Sequence, residues 1–175
     1  MAMLALLVSV NLFVREVHPV GELSLSEPLV ALGTVLTLMG LAIRSWAAGT
    51  LHKAQQLTTT GPYALMRNPL YFGSLLMLFG FGAIVRDWPT LIILTVPLVV
   101  IYLLTVRHEE RRMAALFPDA WPAYRDRTPR FIPYRPIMPR LEGWSLKQWL
   151  RNHEYRAWIG SAIMVASLVI WHLWW

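Results

Sequence analysis

The chain has no cysteine. That excludes a disulfide scaffold, a thiolate-bound zinc and a cysteine nucleophile, and leaves the redox compartment undetermined. Charge is scarce: 15% of the 175 residues are charged, against about 25% in an average soluble domain. With 56% hydrophobic residues, the composition excludes a disordered chain and departs from that of an ordinary soluble domain. The histidines (His18, His52, His108, His153, His172) are scattered, with no pair at ligand spacing, so no metal site is expected. Gly80-Phe81-Gly82 starts like a dinucleotide loop, but it lacks the third glycine and lies inside an apolar run. There is no internal repeat and no low-complexity tract.

What is present is tryptophan, basic charge and long apolar runs. The nine Trp are heavy for this length, and Trp is favoured where apolar and wet surroundings meet. A formal net charge of +6 on so apolar a chain suits an anionic lipid surface better than nucleic acid.

The runs predict an all-α polytopic membrane bundle of about five transmembrane helices. Their approximate bounds are 1–17, 28–48, 69–85, 88–106 and 157–175. The whole chain, 1–175, is read as one domain. Met1–Val14 is short for a span, since about 20 residues cross the hydrocarbon layer. A signal peptide is the rival reading. No basic residue precedes the run and no small-x-small cleavage site follows it, so a first span extending to Val17 is preferred. Ser26-Glu27-Pro28 starts the second run with a capping hydroxyl, an acid and a proline. Asn68 and Pro69 start the third as N-cap and first helical residue. Asp87 caps the fourth. Only Arg86-Asp87 separates the third and fourth runs, which predicts a tight antiparallel hairpin. Gly33, Gly40, Gly73 and Gly80 would allow close helix packing.

Loop charges orient the spans. Residues 15–27 carry Arg15 against Glu16, Glu22 and Glu27. Residues 44–68 carry Arg44, Lys53 and Arg67 and no acid, and 107–156 carry a Lys/Arg surplus. The positive-inside rule then places 44–68, 107–156 and the N-terminus in the cytoplasm and the C-terminus on the opposite side. Trp46, Trp88, Trp158, Trp171, Trp174 and Trp175 fall at span ends, as an aromatic belt would. In the 107–156 segment Met113, Leu116 and Phe117 keep a helical spacing. Prolines from Pro118 to Pro139 then forbid a long helix. Trp144, Lys147, Gln148, Arg151 and Tyr155 outline an amphipathic helix on the membrane surface.

Two constellations meet at the cytoplasmic end of the hairpin. One is Thr60-Gly61-Pro62-Tyr63-Ala64-Leu65-Met66-Arg67-Asn68-Pro69-Leu70-Tyr71-Phe72-Gly73; the other is Arg107-His108-Glu109-Glu110-Arg111-Arg112. A helix N-terminus at Asn68–Tyr71 offers unpaired N–H groups and partial positive charge. Arg67 adds a fork of donors for a carboxylate or phosphate. Glu109 and Glu110 supply anions, and Tyr63, Tyr71 and Tyr124 can stack on a base or face a cation. The set suits a zwitterionic ligand that also carries a positively charged group. Each piece alone has a plainer explanation: a helix start at Asn68-Pro69, a solvated helix end at Glu109-Glu110 paired i to i+4, interface anchors at Tyr63 and Tyr71, a linker at 129–139. Their joint occurrence favours a site.

Gly61-Pro62-Tyr63, Arg67-Asn68-Pro69-Leu70-Tyr71-Phe72-Gly73, Glu109-Glu110, Tyr124 and Pro129-Arg130-Phe131-Ile132-Pro133 together resemble the integral-membrane methyltransferases. These include isoprenylcysteine carboxyl methyltransferase and the phospholipid N-methyltransferases. The resemblance covers roughly residues 28–135. Asn68 stands where the family usually has His, and Pro118 where it often has Gly. The resemblance implies S-adenosylmethionine as cofactor, bound between membrane helices and the cytoplasmic segment after them, without a Rossmann domain. It also implies methyl transfer to a lipophilic acceptor, a prenylcysteine-type carboxylate or a phospholipid amine. Carried over, Arg67 and Glu110 are the catalytic candidates. Tyr63, Asn68, Pro69, Tyr71, Gly73, Glu109, Tyr124 and Arg130 are the cofactor-binding candidates. The implied partners are the bilayer and the acceptor, with no nucleic acid. Two rival readings are a sterol-reductase-like membrane oxidoreductase, which would need a nicotinamide dinucleotide, and a non-enzymatic adaptor whose basic loop binds anionic lipid.

Overall fold

The computed structural model describes residues 24–52, 56–86, 88–134 and 143–174. Among them are seven helices and no strand: α1 (Pro28–Thr50), α2 (Pro62–Leu65), α3 (Pro69–Val85), α4 (Trp88–Leu116), α5 (Trp121–Arg127), α6 (Leu146–Arg151) and α7 (Tyr155–Trp174). Two helical stretches, Pro28–Thr50 and Leu91–Leu116, are long and apolar enough to cross a membrane; Pro69–Val85 and Tyr155–Ile170 are shorter apolar helices. The expected first span (1–17) and the Asp87 cap lie outside the described residues.

α1 and α3 run antiparallel in close contact, and glycine permits it. A Cβ on Gly40 would lie 2.5 Å from the Gly73 carbonyl oxygen, and one on Gly33 2.5 Å from that of Gly80. Both glycine pairs are seven residues apart, so they recur on one face after two turns. The small-residue packing expected from the sequence is therefore observed, and Gly73 belongs to this helix crossing. Leu41, Met77, Phe81, Ala157 and Met164 form a buried cluster joining α1, α3 and α7.

The α3–α4 hairpin forms as expected. Arg86 ends α3 in the left-handed region (φ 59°), and its guanidinium reaches Glu27 at 2.8 Å. Pro28 and Pro69 occupy the first turns of α1 and α3, where a missing N–H is tolerated. The caps differ from expectation. Glu27 and Asn68 hold the N-cap positions, but neither side chain makes a cap hydrogen bond. The Glu27 carboxylate pairs with Arg86, and the Asn68 amide donates to the Arg130 carbonyl at 3.2 Å. Each side chain is claimed by a tertiary partner that the local sequence does not display.

α4 continues past the expected end at residue 106 and runs unbroken to Leu116, 29 residues in all. At 1.5 Å per residue this is about 43 Å, longer than the roughly 30 Å hydrocarbon layer. Its last turns thus carry Glu109 and Glu110 beyond the start of α3. Ile92, Ile93, Val96, Val100 and Leu104 on this helix are exposed, a surface suited to lipid rather than water.

The amphipathic helix expected across 144–158 is broken. α6 covers only Leu146–Arg151, and His153 turns the chain at φ 56° before α7 begins. The Asn152 amide donates to the carbonyls of Ala48 and Leu51 (2.8 and 2.9 Å), and the Trp144 indole donates to the Ser45 carbonyl (3.1 Å). The bond to Ala48, together with the Ser145 N–H donating to the Gly49 carbonyl at 2.9 Å, satisfies carbonyls that the end of α1 otherwise leaves open. The segment is bent because it caps α1.

Candidate functional site

The segment between α1 and α3 turns sharply. Gly61 lies at φ 57°, a conformation L side chains rarely adopt, and starts the single turn of α2. Met66 is extended (φ −151°, ψ 151°), so Arg67 leaves the surface and runs beside the chain after α5. There the Arg67 N–H donates to the Pro129 carbonyl at 2.8 Å, and the Tyr124 hydroxyl donates to the Tyr63 carbonyl at 2.8 Å. Tyr63, Trp121 and Tyr124 are buried. Burial pushes the phenols of Tyr63 and Tyr124 well above the ordinary tyrosine range. Both stay protonated, which keeps the Tyr124 hydroxyl a donor.

A cavity of about 580 Å³ opens among the ends of α1, α3 and α4, α2, α5 and the residues Leu51, His52 and Gln56 to Thr58, within the usual range for ligand pockets. Tyr63, Arg67, Asn68, Pro69, Tyr71, Glu109, Glu110 and Tyr124 all line it. The structure therefore gathers eight of the ten candidates of the sequence analysis around one space. Gly73 sits at the α1–α3 crossing, where a Cβ would lie 2.7 Å from Cγ of Arg44. Arg130 is placed behind the wall. Its Nε and Nη2 donate to the two Glu110 oxygens at 3.1 and 2.6 Å, and this hydrogen bond raises its own pKa above the ordinary arginine value.

Arg67 and Glu110 are both largely enclosed, with side chains 11% and 13% exposed and Nη1 to Oε1 at 3.2 Å. Burial lowers the Arg67 pKa, and the Glu110 charge works in the opposite direction. Nε and Nη1 of Arg67 are buried without a hydrogen-bond partner, although buried polar atoms are normally paired. Its guanidinium also lies 6.0 Å from the centre of the Trp121 ring, at the limit of a cation–π contact. One turn into α3, the Tyr71 hydroxyl donates to Glu109 at 3.0 Å, and the ring packs edge-on against Tyr102 at 4.9 Å.

The cavity also uses residues outside the candidate set, among them Arg44, His52, Ser74, Tyr102 and Trp121. One signal was legible. Arg44 is a charge inside an otherwise apolar run, and an ionisable residue there is a functional candidate by default. Tyr102 and Ser74 sit within apolar helices and carry no comparable sequence mark. Among the described residues, no group of three His, Asp or Glu gathers as metal ligands do.

Residues 24–120 match the phospholipid methyltransferase family. The cobalt-zinc-cadmium resistance protein CzcN of Cupriavidus metallidurans is 30% identical over 152 residues, covering 84% of this chain and 70% of that protein. The nickel-cobalt-cadmium resistance protein NccN of Alcaligenes xylosoxydans xylosoxydans is 31% identical over 111 residues, covering 62% of this chain and 52% of that protein. No solved structure matches.

Proposed function

The chain belongs to the phospholipid methyltransferase family, and from that premise we propose that it transfers a methyl group from S-adenosylmethionine to a lipophilic acceptor at the cytoplasmic membrane face. The observation that carries this reading is the half-open cavity on which Arg67, Glu109 and Glu110 converge. The buried Nε of Arg67 lacks a hydrogen-bond partner and is a donor for the carboxylate of the cofactor's amino-acid moiety, while Nη1 lies against Glu110 Oε1 at 3.2 Å. The protonated tyrosines and Trp121 supply flat apolar walls for a nucleoside. When bound, the cofactor supplies a methyl already activated by its sulfonium.

The protein's part is then alignment and exclusion of water. Positioning alone can supply about 7–11 kcal/mol of barrier reduction. The acceptor carries a carboxylate or an amine. Arg67 would clamp a carboxylate. An amine would give its proton to Glu109, because both Glu110 oxygens are occupied by Arg130. Five spans, with the N-terminus and the 107–156 segment inside, complete the proposal. The apolar outer face of α4 gives the acceptor a lateral route from lipid. The names of the two relatives tie those proteins to metal resistance; on this reading, any such role of this chain is exerted through methylation of an acceptor.

The test is calorimetric titration of detergent-solubilised protein with S-adenosylhomocysteine, followed by transfer of labelled methyl groups from S-adenosylmethionine into a membrane lipid extract. Saturable binding and labelled lipid are expected. Arg67→Ala and Glu110→Gln should each lose binding or turnover while the thermal transition persists. Unchanged affinity and turnover in both variants would sink the proposal.

A further inference from the structure

A buried charge pair ties α1 to the start of α7. Arg44, near the end of α1, donates from Nε and Nη2 to the two Glu154 oxygens, both at 2.8 Å. Glu154 immediately precedes α7 and is 3% exposed; Arg44 is 22% exposed. The two are 110 residues apart in sequence, and Glu154 lies beyond the stretch that matches the family. The third guanidinium nitrogen, Nη1, donates to the Ser74 hydroxyl at 2.5 Å and lies 3.3 Å from the Leu70 carbonyl. Arg44 also lines the cavity, as do Leu70 and Ser74.

A pair this buried is weak as a source of stability. Removing two charges from water costs about as much as their attraction returns, and apolar replacements of similar size are often neutral. Its geometry indicates another use. Pro69 opens α3, and the first turn of a helix, whose N–H groups have no partner within it, is held here by contacts to neighbouring elements. The same turn presents Asn68 to Arg130 and Tyr71 to Glu109. Arg44 grips this turn from the α1 side, and Glu154 fixes the rotamer with which it does so.

We propose that Glu154, acting through Arg44, is a positioning residue of the methyl-transfer site: the bidentate pair locks Arg44 onto the Leu70–Ser74 turn of α3 and so sets where Tyr71 and Asn68 stand in the cavity. This rests on the methyl-transfer reading. The C-terminal helix thereby becomes a functional part of the site without touching ligand. A misplacement near 1 Å can reduce turnover by about a hundredfold.

The experiment compares wild type, Glu154→Gln and the double variant Arg44→Leu/Glu154→Leu, which removes the pair without stranding a charge. The readouts are thermal unfolding, S-adenosylhomocysteine affinity and steady-state kinetics. The expected result is a folded double variant with kcat at least tenfold below wild type and cofactor affinity changed less than threefold. Glu154→Gln, which keeps one acceptor oxygen for Arg44 and loses the other, should fall between. A folded double variant with wild-type kcat overturns the inference and leaves the methyl-transfer reading intact. A double variant whose activity loss only tracks its unfolded fraction, with Glu154→Gln at wild-type kcat, makes the pair structural and overturns it too. Absence of S-adenosylhomocysteine binding in the wild type overturns the methyl-transfer reading, and this inference with it.

Discussion

Arg67 and Glu110 show how a residue's chemistry is set by what encloses it. On a solvated helix end Glu110 would be a rim charge worth little. Here two arginines bracket it, Arg130 at 2.6 Å and Arg67 at 3.2 Å, and the more distant Arg67 keeps its buried Nε without a hydrogen-bond partner. Tyr124 shows the same dependence. Its hydroxyl ties α5 to the backbone of α2 at a buried position, so Tyr124→Phe leaves the Tyr63 carbonyl without that donor. A loss of about 1–3 kcal/mol is expected, together with weaker S-adenosylhomocysteine binding as α5 loosens from the cavity wall. Thermal unfolding in detergent with and without S-adenosylhomocysteine measures both effects; an unchanged midpoint would show that the bond contributes nothing.

At the scale of elements, the α1–α3 contact organises the molecule. Lipid offers no hydrophobic drive for helices to associate, so close backbone approach and dispersion must hold them. Gly40 and Gly73 face each other's backbone, which cannot yield as a flexible side chain can. Gly40→Ala should therefore lower stability by about 1–3 kcal/mol and disturb the cavity, since Arg44 lies one turn further along α1. Gly82→Ala is the control. Its Cβ would meet the mobile end of Leu91 at 2.6 Å, so the effect should be smaller. Equal unfolding midpoints for the two variants would contradict this account of the crossing. α6 shows a different rule at this scale: its composition suits a membrane surface, yet its neighbours Ser145 and Asn152 cap α1, and that docking breaks the helix.

Considered whole, the bundle separates a working end from a holding end. The cavity lies where α1 ends and α3 begins, and the Glu27–Arg86 pair lies at the opposite end of the same two helices, roughly 25 Å away along α3. Glu27 is about half exposed, so the pair should contribute at most about 1 kcal/mol. Arg86→Ala is expected to keep wild-type kcat and S-adenosylhomocysteine affinity with a small drop in unfolding midpoint. A tenfold fall in kcat with the fold intact would mean that the two ends are coupled.

Much of this was legible beforehand. Apolar runs bounded by proline mark α1 and α3, the two-residue gap marks the hairpin, and the Gly61–Gly73 segment with the acid pair marks the site. These are local signals, because helix starts, apolar length and turn chemistry depend on neighbours in the chain. The break after α6, the true partners of Glu27 and Asn68, and the Arg44–Glu154 pair were decided only by tertiary structure. A buried charge is stabilised by whichever opposite charge the fold brings against it, and no local pattern records a partner 110 residues away.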